Sequence, residues 1–315
     1  MTGGLDAIGG ALAPIVLLIA LGHQLRSRQV VADGFWLPLE RLTFHVFFPA
    51  LLLSSLAKAR LDGVPLGGMA LTEMGGTLAM AAMAAALSGL AAKPPLRLDG
   101  PGFSSLFQCV IRPNTYVGLA AAAGLWGARG LTLTAVCVAL VVPMVNLLSV
   151  LALLHWAGGG GRFRWRAALL PVAGNPLIVS CLIGIALNVS GIGSPPVIGP
   201  FLDILGSASL PLGLLAIGAG LDLGGLKRAK APVLLAVVVK LAGMPALVWG
   251  IGRLIGLEGM PLAVCVLYAG LPASPAGYVM ARQMGGDAPL AAGILSLQVL
   301  TAMVTMPILV LLLAG

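Results

Sequence analysis

The chain has 315 residues, of which 59% are apolar and 9% charged, with a formal net charge of +8. A mean hydropathy of +1.06 excludes a soluble domain, whose surface needs far more polar residues to cover its core. It also excludes an added soluble module, because ten spans of about 20 residues use about 200 positions and leave only short connections.

Ten apolar runs are read as spans. In chain order they fall at about 11–27, 36–57, 66–92, 102–126 and 131–155, then 168–190, 198–221, 231–256, 261–283 and 288–314. The runs are long and continuous, whereas a membrane barrel would show segments of about ten residues with alternating polarity, so helices are expected. The opening MTGGLDAIGG lacks a basic n-region, and the first run is therefore expected to be a retained helix. Cys109, Cys137, Cys181 and Cys265 fall singly inside spans, with no metal-type spacing, and read as buried apolar thiols. No cofactor or metal is implied. His23, His45 and His155 sit near span ends and receive no role.

Short loops orient the chain by their Lys and Arg content. One side collects Arg26, Arg28, Lys93, Arg97, Arg162, Arg164, Arg166, Lys227, Arg228, Lys230 and Arg282, and the other only Lys58, Arg60, Arg129 and Arg253. The first side is expected in the cytoplasm of a cell with this protein in its plasma (inner) membrane, with both termini on the non-cytoplasmic side. This topology accounts for the positive charge, so a nucleic-acid partner is not expected.

Sliding the chain against itself reveals a repeat at an offset of 162 residues. Pro14, Pro38, Pro49 and Pro113 fall on Pro176, Pro200, Pro211 and Pro275, where composition gives about one coincidence. Gly22 falls on Gly184 and Tyr116 on Tyr278, the latter inside a shared PxxYV. Five spans per copy is odd, so the second copy enters the membrane from the opposite face. The expected fold class is all-α integral membrane, two inverted five-helix repeats with residues 1–157 and 168–315 joined by a short basic loop at 158–167.

Inverted repeats house substrate sites near the midplane, where paired helices are interrupted. IRPNTYVG puts Pro113 inside the fourth span, and LYAGLPASPAGYV puts Pro272 and Pro275 inside the ninth. Each proline removes an amide donor and frees backbone groups that a substrate or ion can partner. Arg112, Pro113, Asn114, Thr115, Tyr116, Pro272, Ser274, Pro275 and Tyr278 are thus the candidate binding residues. Arg112 and Lys240 are placed near the midplane, with Glu73 nearer the outer face of the third span. Glu73 can pair one cation structurally, and the other calls for an anionic cargo, with Arg112 better suited to bidentate recognition of a carboxylate. Glu73 and Lys240 are candidates for coupling or charge tuning. Asn146, Gln108 and Gln298 read as interhelical packing groups. Intramembrane protease and hydrolase motifs are missing, and GGD at Gly285 to Asp287 lacks a partner aspartate, so no catalysis is expected.

RPNTYVGLA, GNPLIVSCLIGIALN, LPLGLLAIGAGLDL and LPASPAGYVMARQMGGDAPLAAGILSLQ resemble the auxin efflux carrier family over nearly the whole chain. That family includes bacterial malate and malonate carriers and the plant carriers that export indole-3-acetate. The resemblance implies a fold like that of sodium/proton antiporters and bile-acid symporters. Spans 1, 2, 6 and 7 would form a scaffold, and spans 3–5 and 8–10 a transport domain with crossing, broken helices 4 and 9. It carries a substrate-site role to Pro113, Asn114, Thr115 and Pro272, and sets Glu73 near an intramembrane acid of the plant carriers. The long central loop of those carriers shrinks here to about HWAGGGGRFRWR. The implied function is transport of a small organic anion across the lipid bilayer, with proton or sodium coupling and a homodimer through the scaffold left open. The alternative is a cation/proton antiporter or sodium-coupled symporter on the same fold.

Overall fold

The computed structural model describes residues 2–59, 63–158, 174–222 and 231–314. The basic loop expected at 158–167, apart from Gly158, lies outside these residues, as do the first residues of the sixth expected span. The loop cations Arg60, Arg162, Arg164, Arg166, Lys227, Arg228 and Lys230 lie outside them too. Among the described residues every regular element is helical. Seven stretches among the described residues are long and apolar enough to cross a bilayer: Ile8–Ser27, Asp33–Ala57, Leu66–Ala86, Gly100–Ala157, Ile198–Ala219, Ala231–Leu254 and Ala288–Leu313. Pro176–Val189 and Gly259–Ala269 are apolar but shorter. At 58 residues, Gly100–Ala157 far exceeds one crossing of about 20 residues. All four cysteines are buried thiols.

The contacts divide the chain into two compact units, the first comprising Met1–Val64, Thr115–Ala139 and Ala173–Gly220. Here α1 (Thr2–Ser27) is followed by α2 (Trp36–Leu42), a wide π turn at Thr43–Phe47, and α3 (Phe48–Ala57). Pro49 explains the π turn, since a proline near the start of α3 offers no N–H to the turn before it. A second helix interruption stands ahead of a proline. The α9 helix (Ile198–Ser207) gives way to α10 (Ser209–Ala219) at Ala208, just ahead of Pro211. Preceding these, α8 (Pro176–Val189) is opened by Asn175, whose side chain accepts from the Leu177 N–H at 2.9 Å, with Pro176 at the first position, where its missing donor costs nothing.

Two helix pairs dominate this unit, α1 on α10 and α3 on α8. Each meets at a glycine. A Cβ on Gly22 would collide with the Leu215 carbonyl, and one on Gly184 would lie 2.9 Å from the Leu53 carbonyl oxygen. The helix ends are closed in parallel fashion. Arg26 Nη1 donates to the Ala219 carbonyl at 2.7 Å, and Asn188 Nδ2 donates to the carbonyls of Leu56, Ala57 and Ala59 at 3.0, 3.2 and 2.6 Å. A donor at a helix C-terminus satisfies carbonyls that have no intrahelical partner.

The second unit comprises Pro65–Asn114, Leu140–Val172 and Leu221–Gly315. It contains α4 (Leu66–Ala86), α5 (Ser88–Ala91), α6 (Gly100–Ile111), α11 (Ala231–Val238), a π turn at Val239–Gly243, and α12 (Met244–Leu254). Then come α13 (Gly259–Ala269), α14 (Ala276–Gln283) and α15 (Ala288–Ala314). α6 starts at the Asp99 cap, which accepts from the Gly102 N–H at 2.8 Å. Small residues again allow close approach, with Gly252 of α12 facing Thr72 of α4. The remaining helix, α7 (Thr115–Ala152), contributes to both units and is interrupted at Gly127, where φ of 59° requires glycine. It ends in a π turn at Leu153–Ala157, whose Trp156 packs edge-on to Phe103 at 4.7 Å.

Candidate functional site

The fourth expected span stops being helical at Ile111, and Arg112, with φ of −88° and ψ of 119°, is extended. Helix resumes at Thr115. The ninth stops at Ala269 and resumes at Ala276. These two breaks meet within the second unit: the Asn114 N–H donates to the Pro272 carbonyl at 2.8 Å, and Asn114 Nδ2 to the Ala273 carbonyl at 3.4 Å. Ser274 turns the chain into α14, its carbonyl accepting from the Gly277 N–H at 3.0 Å.

Each break frees backbone groups, and side chains take them up. In an unbroken helix the Cys109 carbonyl would receive the N–H of residue 113, which is proline. Gln298 of α15 supplies that donor instead, with Nε2 giving to the Cys109 carbonyl at 3.2 Å and to the Ala236 carbonyl at 3.0 Å. Its Oε1 accepts from the Ala273 N–H at 2.8 Å. Both amide protons and the oxygen of Gln298 are thus used, on α6, α11 and the second break. Because Ala273 N–H turns to Gln298, the Ala269 carbonyl loses its helical donor, and Lys240 Nζ takes that place at 3.0 Å. Lys240 lies in the π turn and is fully buried. The buried Glu73 carboxylate acts on it electrostatically.

Arg112 is 4% exposed. Its Nη1 donates to Asn146 Oδ1 at 2.7 Å, and its Nη2 contacts Met280 Sδ at 3.0 Å. Its Nε finds no hydrogen-bond partner among the described residues. A glycine at 277 leaves space beside the guanidinium, since a Cβ there would lie 3.7 Å from Arg112 Cδ. A cation this buried, facing a neutral amide and a thioether, retains an electrostatic demand that an anion would meet.

The structure therefore brings Arg112, Pro113, Asn114, Pro272 and Ser274 to one place, with Lys240 and Glu73 behind the second break. Pro275 and Tyr278 lie half-buried at and just beyond that break. Thr115 and Tyr116 open α7 and group with the first unit, where Tyr116 stacks on Phe48 with ring centroids 4.2 Å apart and planes 11° from parallel. Gln298 and Asn146, expected as interhelical packing groups, do make such hydrogen bonds, Gln298 to α6, α11 and the second break and Asn146 to Arg112.

The membrane transport protein family matches residues 165–310 of this chain. An uncharacterized transporter of Methanothermobacter thermautotrophicus is 25% identical over 301 residues, covering 93% of this chain and 94% of the relative. Over residues 165–310 the chain is thus similar to the membrane transport protein family, and that match together with the apolar helices supports a multi-pass membrane transporter.

Proposed function

We propose that this transporter is a secondary carrier of small organic anions, carboxylates such as malonate, malate or an auxin-like acid, working by alternating access. The observation that carries the proposal is the pair of hydrogen-bonded helix breaks beside Arg112, a buried cation with an unpartnered Nε. In this reading the chain crosses the membrane ten times as two inverted repeats. The 58-residue stretch contributes two crossings, and the shorter helices α8 and α13 belong to two more. Both termini lie outside the cytoplasm.

The repeat is supported by how the first unit packs. Gly184 and Leu215 stand 162 residues after Gly22 and Leu53, and Asn188 and Ala219 stand 162 after Arg26 and Ala57. The contacts Gly22 to Leu215 and Arg26 to Ala219 thus have counterparts in Gly184 to Leu53 and Asn188 to Ala57. An exchange of partners like this is what a two-fold related duplication produces.

The carboxylate binds at the breaks, held by Asn114 and backbone amides, with Arg112 supplying positive potential. Spans 3–5 and 8–10 carry the site past a scaffold of spans 1, 2, 6 and 7. A second reading, cation or proton coupling on the same fold, draws on the buried Glu73 beside Lys240.

Thermal unfolding of the purified protein with malonate, malate and indole-3-acetate, at two pH values with and without sodium, tests both. A ligand specific for the folded state at 100 times its Kd adds about 2.7 kcal/mol, so a carboxylate of the right class raises the midpoint. In vesicles, Arg112→Gln should cut flux of that carboxylate by about tenfold or more, corresponding to one lost charged hydrogen bond. Unchanged flux removes Arg112 from the site, and a midpoint raised by a cation alone favours the second reading.

A further inference from the structure

The part of α6 that leads into the first break carries a row of buried polar atoms. Ser105 and Gln108 are fully buried and Arg112 nearly so. Spaced three and four residues apart, they lie on one face of the helix, within an arc of about 60° and along about 10 Å of its axis. The face runs on into the break, because the Arg112 N–H still bonds the Gln108 carbonyl at 3.0 Å. Ser105 Oγ, Gln108 Oε1 and Arg112 Nε find no hydrogen-bond partner among the described residues. Gln108 Nε2 reaches back along its own helix to the Ser104 carbonyl at 3.4 Å, which leaves the amide oxygen for a partner from elsewhere.

α14 and the turn after it flank this row at both ends. A Cβ on Gly277 would lie 3.9 Å from Arg112 Nε, and one on Gly286 would lie 2.9 Å from Ser105 Oγ and 3.0 Å from Leu153 Cδ2. Residues without side chains thus stand beside the first and last members of the row. The Asp287 N–H ties the same turn to the Pro101 carbonyl near the start of α6 at 3.2 Å. Arg97 precedes α6, and Arg282 is exposed near the end of α14. The row therefore leads from Arg112 toward the face of the membrane expected to be cytoplasmic.

The chemistry of the three atoms selects their ligand. Gln108 Oε1 can only accept, Arg112 Nε can only donate, and the Ser105 hydroxyl can do both. A carboxylate only accepts, so it cannot serve the glutamine oxygen. A metal cation would suit that oxygen and be repelled by the guanidinium. Water both gives and receives, and buried polar groups without protein partners are where it is held.

We infer that Ser105, Gln108 and Arg112 hold a short file of water inside the second unit, about two or three molecules at hydrogen-bond spacing. The file has a use in transport, and that part rests on the proposed carrier function. When the carboxylate leaves, water solvates the guanidinium, and the empty carrier returns without a bare charge in its middle. The file itself does not depend on what the cargo is.

X-ray radiolysis, which makes hydroxyl radicals from water where it is bound, tests the file in the full chain in phosphatidylcholine nanodiscs. The reporter is Met280, whose Sδ lies 3.0 Å from Arg112 Nη2. Met280 should be oxidised several times faster than the buried Met69 and Met244 of the same unit. Gln108→Leu should lower the Met280 rate about fivefold, the factor for one lost hydrogen bond. Gly286→Ala keeps all three polar groups but fills the space beside Ser105, and it should lower the rate too. Ser105→Ala replaces Gln108→Leu if that variant does not fold. A Met280 rate no higher than that of Met69, or one that either variant leaves unmoved, overturns the file.

In vesicles, with whichever of malonate, malate and indole-3-acetate is carried, Gln108→Leu should slow net efflux about fivefold more than exchange, because exchange needs no empty return. Equal slowing overturns the part played in return. If none of the three is carried, the carrier reading fails and that part fails with it, while the Met280 rates still decide the file. Carboxylate flux without rapid oxidation of Met280 removes the file and leaves the carrier reading standing.

Discussion

In the first unit the tightest helix pairs meet where side chains are missing, at Gly22 against Leu215 and Gly184 against Leu53, and polar groups serve mainly to close helix ends. In the second unit the helices around the breaks meet through the buried polar side chains of Gln298, Lys240 and Arg112, with the half-buried Asn146 against the last. The difference follows from the backbone. A continuous helix satisfies its own amides and carbonyls, so its neighbour needs only to come close, and small residues permit that. A helix broken inside a membrane has lost those partners, and side chains must replace them at once. Polarity in the second unit is thus a consequence of the breaks.

The comparison can be broken from either side. The largest effect is expected from Gly22→Leu, which drives a side chain into the Leu215 backbone and should destabilise the first unit by about 3 kcal/mol, read from the unfolding midpoint in detergent. If α1 tolerates leucine there, close approach is not what holds α1 to α10. Next, Gln298→Leu strips three hydrogen bonds from buried backbone and should cost about 2 kcal/mol. Pro113→Ala restores an N–H four residues after Cys109, so the cost of Gln298→Leu should shrink by about 1 kcal/mol in that background. Strict additivity of the two changes would show that Gln298 does not stand in for the missing donor. The smallest effect, about 1 kcal/mol, is expected from Asn188→Ala, which uncaps α3 while the carbonyls near its end retain access to solvent or lipid headgroups.

The helical, membrane-spanning character and the places of the two breaks were legible from the sequence, because they depend on long apolar runs and on prolines at Pro113, Pro272 and Pro275. Arg112 and Asn114 were legible as site candidates because charge and amide are rare inside a bilayer. Gln298 was not, although it is equally polar, since its role depends on α15 lying against both α6 and α11, and a single sequence carries no pairing of distant helices. The same holds for Asn146, whose Oδ1 meets Arg112 across 34 residues. Lys58 and Arg129 read as loop charges, although both line one cavity of the first unit. Lys240 was legible as a midplane candidate for coupling or charge tuning, but its hydrogen bond to the Ala269 carbonyl depends on the second break lying against its helix, which a single sequence does not carry.

The π turns have a consequence for how such a chain can change length. A wide turn holds about one residue more than an α-helical turn over the same stretch of axis. Thr43–Phe47, Leu153–Ala157 and Val239–Gly243 are therefore places where a codon can be lost without shortening a span that has to match a bilayer of fixed thickness. Deleting one residue there would tighten the turn into ordinary helix, and the helix beyond it would keep its depth and facing. The same deletion in α15, which is regular from Ala288 to Ala314, would rotate everything after it by about 100°. In genetic terms, the wide turns are where insertions and deletions can accumulate in the middle of a membrane protein that otherwise confines them to its loops.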